Sequence, residues 1–252
     1  FDTEKTLCSG IAVAHPATVN KLACRFKKRS GIALTNPQAF YDTITSEFFD
    51  ELETPKTDNS ELQFMYKAFD DTRNSAKYIY DQYKLKANYE YYPKGQLSGK
   101  LKEIATLIKS DIRTPVFYTS LGGFDTHVNQ QWSHDRLMEE LNGGVTAFVK
   151  DLEKAGLMKE TTIMVFSEFG RRLKENASRG TDHGAANCMF IIDTDLSSKA
   201  HAYNKINLAD LDKGDPKFQV DFRSVYQEVL QKTLGVDPQL VLGKKFDPLG
   251  LF

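Results

Sequence analysis

The sequence predicts an α/β fold, a mixed and mainly parallel sheet flanked by helices, and three observations carry that prediction. Two short apolar runs, 115–120 (PVFYTS) and 162–166 (TIMVF), have the length and composition of buried strands. Between them Leu137, Leu141, Val145, Phe148 and Leu152 recur at helical spacing. A strand–helix–strand unit of this length favours parallel, adjacent strands joined in the right-handed sense, with both strand C-termini along one edge of the sheet.

The remaining elements follow in order. Residues 1–35 lack periodicity and read as irregular or short extended segments. Asn36-Pro37 is a helix start, asparagine as N-cap and proline in the first turn, with Phe40, Ile44 and Phe48 on one face and Pro55 as the end. A second helix is predicted over 60–84, where Leu62, Met65, Phe69, Ala76, Ile79 and Tyr83 follow helical spacing. Residues 88–95 connect it to a third, marked by Leu97, Leu101, Ile104 and Ile108 and ending near Ser110. Gly156 stops the long helix before the strand at Thr162, and 188–192 is a further short strand. Asp221 caps a last helix carrying Val225, Val229 and Leu230, which stops at Gly235. The reading is a single domain over 1–252, mainly helical over 36–110, with the sheet core and the site over 114–252.

Composition narrows the function classes. With 252 residues, 40% apolar and 27% charged, the chain has material for a sizeable core. A net charge of -1 provides no global field for nucleic acid or an anionic membrane, and Lys27, Lys28 and Arg29 read as a solvated loop. No run approaches the roughly 20 apolar residues of a membrane span. The start at Phe1, without a methionine or a signal-peptide pattern, is expected of a processed product or the remainder of something longer. Cys8, Cys24 and Cys188 lack zinc-finger spacing; the first two could pair in an oxidising compartment, and Cys188, inside an apolar run, is expected to be a buried free thiol.

The chemistry concentrates in three segments, 122–127 (GGFDTH), 167–172 (SEFGRR) and 180–184 (GTDHG), of which the first two directly follow the predicted strands. That is where open α/β sheets place their sites. Asp125 and His127 are two apart, so an extended backbone projects both to one side, and the glycines allow close approach. Glu168 would face the same crevice if the parallel register holds, and His183 supplies a second imidazole from the following loop. Oxygen and nitrogen donors of this kind suit zinc, manganese or iron. Arg171 and Arg172 could hold phosphate or sulfate oxygens in a two-pronged hydrogen bond. A structural reading stands beside this one: Asp125 caps a turn, Glu168 pairs with Arg171, and His183 is a hydrogen-bonded loop histidine. His134 is expected in the first turn of the long helix, and His15 and His201 at the surface. Ser120 and Ser167 end strands without the G-x-S-x-G elbow, which leaves a serine hydrolase little support. The tyrosines between Tyr78 and Tyr92 could stack sugars or bases, or pack helices with wet hydroxyls.

The segments LGGFDTH, FSEFGRR and GTDHG, with the later DFRSVY and the closing LG-x-x-F-x-PL, resemble the bacterial family known as domain of unknown function 1501, over about Gly31 to Phe252. That family is similar to the alkaline phosphatase and sulfatase superfamily. The resemblance therefore implies a mixed α/β sheet with one or two metal ions at strand ends, cleavage of phosphate or sulfate esters, and export, often behind a twin-arginine signal. It would set Glu168 where the superfamily has an Asp-His pair after a strand, a change that removes one ligand, and His183 where it has a later metal-binding histidine. The family's opening strand and Gly-rich loop with an aspartate have no counterpart here, so the nucleophile and the first metal-binding aspartate would belong to a missing N-terminal part of the fold.

The expectation is accordingly an exported metal-dependent hydrolase. Asp125, His127, Glu168 and His183 would be catalytic and hold a divalent ion, with Asp182 orienting His183 or ligating in its place, and Arg171 and Arg172 binding substrate. The partners are a small anionic ester or a sulfated or phosphorylated glycan, and a separate N-terminal fragment. The alternative is a non-catalytic exported binding or assembly protein that keeps the fold.

Overall fold

A computed structural model describes residues 9–14, 59–85, 90–110, 114–197 and 207–252. The expectations for Asn36-Pro37, for the cluster at Lys27, for Cys8 and Cys24, and for His15 and His201 lie outside the described residues. The chain divides into two compact units, one of Phe1–Arg25, Asn88–Ala105 and Arg113–Phe252, the other of Phe26–Ala87 and Thr106–Ile112. In the second unit, α1 (Ser60–Leu85) begins where Asn59 accepts the backbone N–H groups of Glu61 at 2.9 Å and Leu62 at 3.2 Å, an N-cap that satisfies two of the donors a helix start leaves free. The first turns of its apolar face, Leu62 and Met65, are exposed.

The first unit holds the sheet. β1 (Ser9–Ala14), β2 (Val116–Leu121), β3 (Thr162–Phe166) and β6 (Phe190–Ile192) pair in the order β2-β1-β3-β6, and every ladder is antiparallel. This corrects the mainly parallel sheet expected from the sequence. The crossover helix α3 (Gln130–Lys154) does give β2 and β3 the same direction, because each runs antiparallel to β1. It does not make them neighbours. The segment SGIAVA, with β-branched Ile11 and Val13, takes the slot between them, and pairing of such distant segments leaves no local trace in sequence. The C-terminal ends of β2 and β3 still share one edge, since Ser9 faces Leu121 and Gly10 faces Phe166.

β2 alternates, with Phe117, Thr119 and Leu121 buried and Val116 and Tyr118 exposed, as a strand with one covered face must. The core is marked by Phe148 and Leu152 of α3, Ile163 of β3, and Leu97 and Leu101 of α2 (Gln96–Lys109). Burying each such side chain stabilises the fold by about 1.5–3 kcal/mol. The start of α2 is tied to α3 by Glu140, whose carboxylate accepts the N–H of Leu97 at 3.0 Å. Tyr92 is held by Asp151 of α3, its hydroxyl donating at 3.0 Å rather than lying wet in solvent.

α4 (Phe222–Lys232) starts on Asp221, as its sequence predicts, and organises the C-terminus. Gln227 exchanges two hydrogen bonds of 2.7 Å with the backbone of Phe246, while buried Glu228 accepts the N–H groups of Leu249, of Gly250 at 2.7 Å and of Leu251 at 2.7 Å. Leu251 then packs with Val225 and Val229. Gln227 and Glu228, directly after DFRSVY, thus clasp the chain from Phe246 of the LG-x-x-F-x-PL motif to Leu251. Among the described residues no helix is long and apolar enough to cross a membrane.

Candidate metal centre

Beyond the sheet edge, β4 (Gly170–Glu175) and β5 (Thr181–Gly184) form an antiparallel hairpin that pairs Arg171 with His183. His183 therefore lies on a strand, where a loop was expected from the sequence. The hairpin packs backbone to backbone against its neighbours, and glycine is required for it: a Cβ at Gly180 would come within 2.1 Å of the carbonyl carbon of His127, and one at Gly170 within 1.6 Å of the Ala186 carbonyl oxygen. The loop glycines tell a different story, since Gly123 is needed for its positive φ of 101° and Gly122 has open space around it.

This packing brings three side chains together. The Oδ1 atom of Asp125 lies 2.7 Å from His183 Nε2 and 3.0 Å from His127 Nε2, and the two imidazole rings are 5.2 Å apart. Asp125, His127 and His183 are all partly open to solvent and can each offer one donor atom to a common ion, all within 4.8 Å of one another. A tetrahedral zinc ion with bonds of about 2.0–2.1 Å holds its donors about 3.3 Å apart. The two Asp125 contacts, 2.7 and 3.0 Å, are shorter than that spacing, so an ion between these donors would require them to open. Two imidazoles and a carboxylate are donors of the kind that suits zinc, manganese or iron.

Asp125 is held ionised. The hydrogen bond from His183 pulls its carboxyl below the usual carboxylate range, against a smaller opposing effect of partial burial, and the charges of His183 and His127 and a hydrogen bond from Arg171 add to the pull.

Arg171 occupies a different place from the one its residue type suggested. It is largely buried, and its guanidinium donates to Asp125 at 3.2 Å, to Thr181 Oγ1 at 2.9 Å and to the backbone carbonyls of Thr126 and Thr181. These contacts engage both terminal nitrogens and Nε, so its geometry is that of a clamp between the Asp125 loop and β5. Arg172 pairs with Asp215 at 2.9 Å. Asp182 sits 3.3 Å from His127 Nδ1, not against its sequence neighbour His183.

Glu168 is exposed and lies outside the group of three. The insertion of β1 explains this, because it raises the spacing between β2 and β3 from about 4.8 Å to about 9.6 Å. Cys188 is exposed and not the buried thiol expected: it falls in the loop before β6, whose strand begins only at Phe190. An apolar recess lined in part by Tyr226, Val229 and Leu230 of α4 is remote from the three donors. It involves Val116 and Thr162, the first residues of β2 and β3, whereas Asp125 and Glu168 follow the last.

Several contributors escaped the sequence reading. His134 anchors the Asp125 loop, its Nε2 lying 2.9 Å from Thr126 Oγ1 and 3.3 Å from the Phe124 carbonyl. Asn176 donates to the His127 carbonyl at 3.0 Å and accepts from Ser178 and Gly180, which builds the turn of the hairpin. Asn and Gly four apart in 176–180 (NASRG) were the available turn signal. Phe169 stacks on His183, centroids 4.1 Å apart and planes 20° from parallel.

Residues 105–192, which include all three motif segments, match the model of a family described as protein of unknown function (DUF1501). No curated protein and no solved structure matches the chain.

Proposed function

We propose that Asp125, His127 and His183 form a mononuclear divalent-metal centre used to hydrolyse phosphate or sulfate esters. The observation that carries this reading is the convergence of two imidazole nitrogens on one carboxylate oxygen at 2.7 and 3.0 Å, from segments 58 residues apart in the chain. Zinc, manganese or iron held there would supply Lewis-acid activation of an ester oxygen and of water. The chain's own residues provide the rest. Asp125 is kept as an anion, the exposure of all three side chains leaves room for substrate beside them, and Glu168, exposed and directly before Phe169 in the chain, is the carboxylate we assign to proton transfer. Since Arg171 and Arg172 are engaged by protein groups, the negative charge of an ester would be met at the ion. The resemblance to the sulfatase-like superfamily favours this reaction class and an exported protein.

The engagement of Arg171 also favours a second reading, a binding or assembly protein whose polar edge is internally satisfied. Metal content after incubation with zinc, manganese or iron(II), with turnover of p-nitrophenyl phosphate and p-nitrophenyl sulfate, separates the two. The hydrolase reading expects one ion per chain, lost in Asp125→Ala and His183→Ala, and turnover abolished by a chelator. A wild-type chain that takes up no metal, or an Asp125→Ala variant that binds it as well, would refute the centre; metal binding without turnover would leave the second reading.

A further inference from the structure

A histidine that offers Nε2 to an ion must carry its proton on Nδ1 and give it to an acceptor, and such outer partners commonly fix the ring's tautomer and direction. The two imidazoles of the centre are held by different devices. His127 is bracketed by carboxylates, Asp125 Oδ1 at 3.0 Å from Nε2 and Asp182 Oδ1 at 3.3 Å from Nδ1. His183 is held by its face: Phe169 lies parallel to it at 4.1 Å, and the Arg171 guanidinium stands 5.9 Å from the same Phe169 ring. Asp182 is 63% exposed, and the hairpin is secured independently of it by Arg171, Asn176 and its glycines.

We propose, resting on the metal reading above, that Asp182 and Phe169 are the positioning residues of this centre. Asp182 keeps His127 in the Nδ1-protonated tautomer with Nε2 turned to the ion, and Phe169 fixes the plane in which His183 presents its own Nε2. Asp182 is not a ligand: its oxygen approaches the nitrogen that faces away from Asp125, and among the described residues only Asp125, His127 and His183 share a common donor volume.

The test measures zinc affinity of the full chain by competition with a chromogenic chelator, the visible spectrum of the cobalt(II)-loaded protein, and the thermal midpoint of the metal-free protein. Asp182→Ala is expected to weaken zinc about 10- to 100-fold. Asp182→Asn keeps an acceptor oxygen and should recover part of that loss. Phe169→Leu, which retains bulk and loses the stacked ring, should weaken zinc about 3- to 10-fold. Both should alter the cobalt bands while leaving the metal-free midpoint unchanged, a combination that a purely structural role would not produce. Equal affinities and an unaltered cobalt spectrum in the variants, with a wild-type chain that does bind zinc, would overturn the positioning roles alone. A loss in Asp182→Ala as complete as in His127→Ala would overturn them too, by making Asp182 a ligand. A wild-type chain that binds neither metal would remove the centre and this proposal together.

Discussion

Replacing Glu228 by glutamine tests the C-terminal clasp, and its cost can be worked from the geometry. The carboxylate is buried and accepts the N–H groups of Leu249 and Gly250 on one oxygen and that of Leu251 on the other. An amide keeps one acceptor oxygen and turns an NH2 group toward the remaining donor. That buried N–H loses its partner, which costs about 1–3 kcal/mol, and each of the two remaining bonds falls from charge-assisted to neutral, a further loss of about 0.5–1 kcal/mol each. The sum centres on about 3.5 kcal/mol, equivalent to a fall in the thermal midpoint of about 7–14 °C for a chain of this size. Calorimetry on the two proteins reads the shift. The control is a chain truncated after Pro248, where the donors are gone, Glu228 regains solvent, and the same substitution should cost less than about 0.5 kcal/mol. An unchanged midpoint in the full chain, or an equal loss in both backgrounds, would refute the clasp as the origin of the effect.

Two further substitutions probe the site and the last helix. Gly180→Ala sets a methyl group 2.1 Å from the His127 carbonyl carbon, where only backbone movement can relieve it, so a loss of about 1–3 kcal/mol or more is expected in urea denaturation, with amide shifts in residues 125–130; an unchanged spectrum and midpoint would show that the hairpin is not pinned there. Asp221→Ala removes an N-cap bond to Arg223 N of 2.9 Å and should cost about 1 kcal/mol at neutral pH. Because the hydrogen bond from the Arg223 side chain lowers the Asp221 carboxyl in the folded state below its unfolded value near 3.9, the stabilisation is complete above that value and is lost as pH falls through the folded one. The wild-type advantage over Asp221→Ala should therefore shrink in strong acid, and one that stayed constant from pH 7 to pH 2 would argue against the linkage.

What the sequence made legible was local. Helices α2, α3 and α4 and strands β2 and β3 lie where periodicity and capping set them, because Leu97 to Ile108, Leu137 to Leu152 and the Asp221 cap each act within a few residues of themselves. Asp125 and His127 were legible as a pair for the same reason. The sheet order was not, because β1 reaches its partners across more than a hundred residues of intervening chain and nothing in SGIAVA specifies which slot it fills. The β4–β5 hairpin was also hidden: its strand GRRLKE is polar and broken in register between Arg171 and Glu175, so it carries no alternation to read. Yet that hairpin delivers His183 to Asp125, which a parallel β2–β3 pairing was expected to do for Glu168.

Arg171 shows why residue type alone misplaces roles around a charged site. A guanidinium beside two imidazoles invites an anion-binding assignment, but its donors are spent on Asp125, Thr181 and two carbonyls, and Thr181 passes the link on to Gln130 at 2.7 Å at the start of α3. The positive charge thus stays at the carboxylate, helping keep Asp125 ionised and its loop registered against β5. A metal held by Asp125, His127 and His183 would enter a frame already fixed by Arg171, Asn176 and Gly180, so the geometry of the three donors is set by the hairpin before any ion binds. On the metal reading proposed above, that ordering would let the site take up an ion without the ion being needed for folding, in contrast to small domains whose structure depends on the ion.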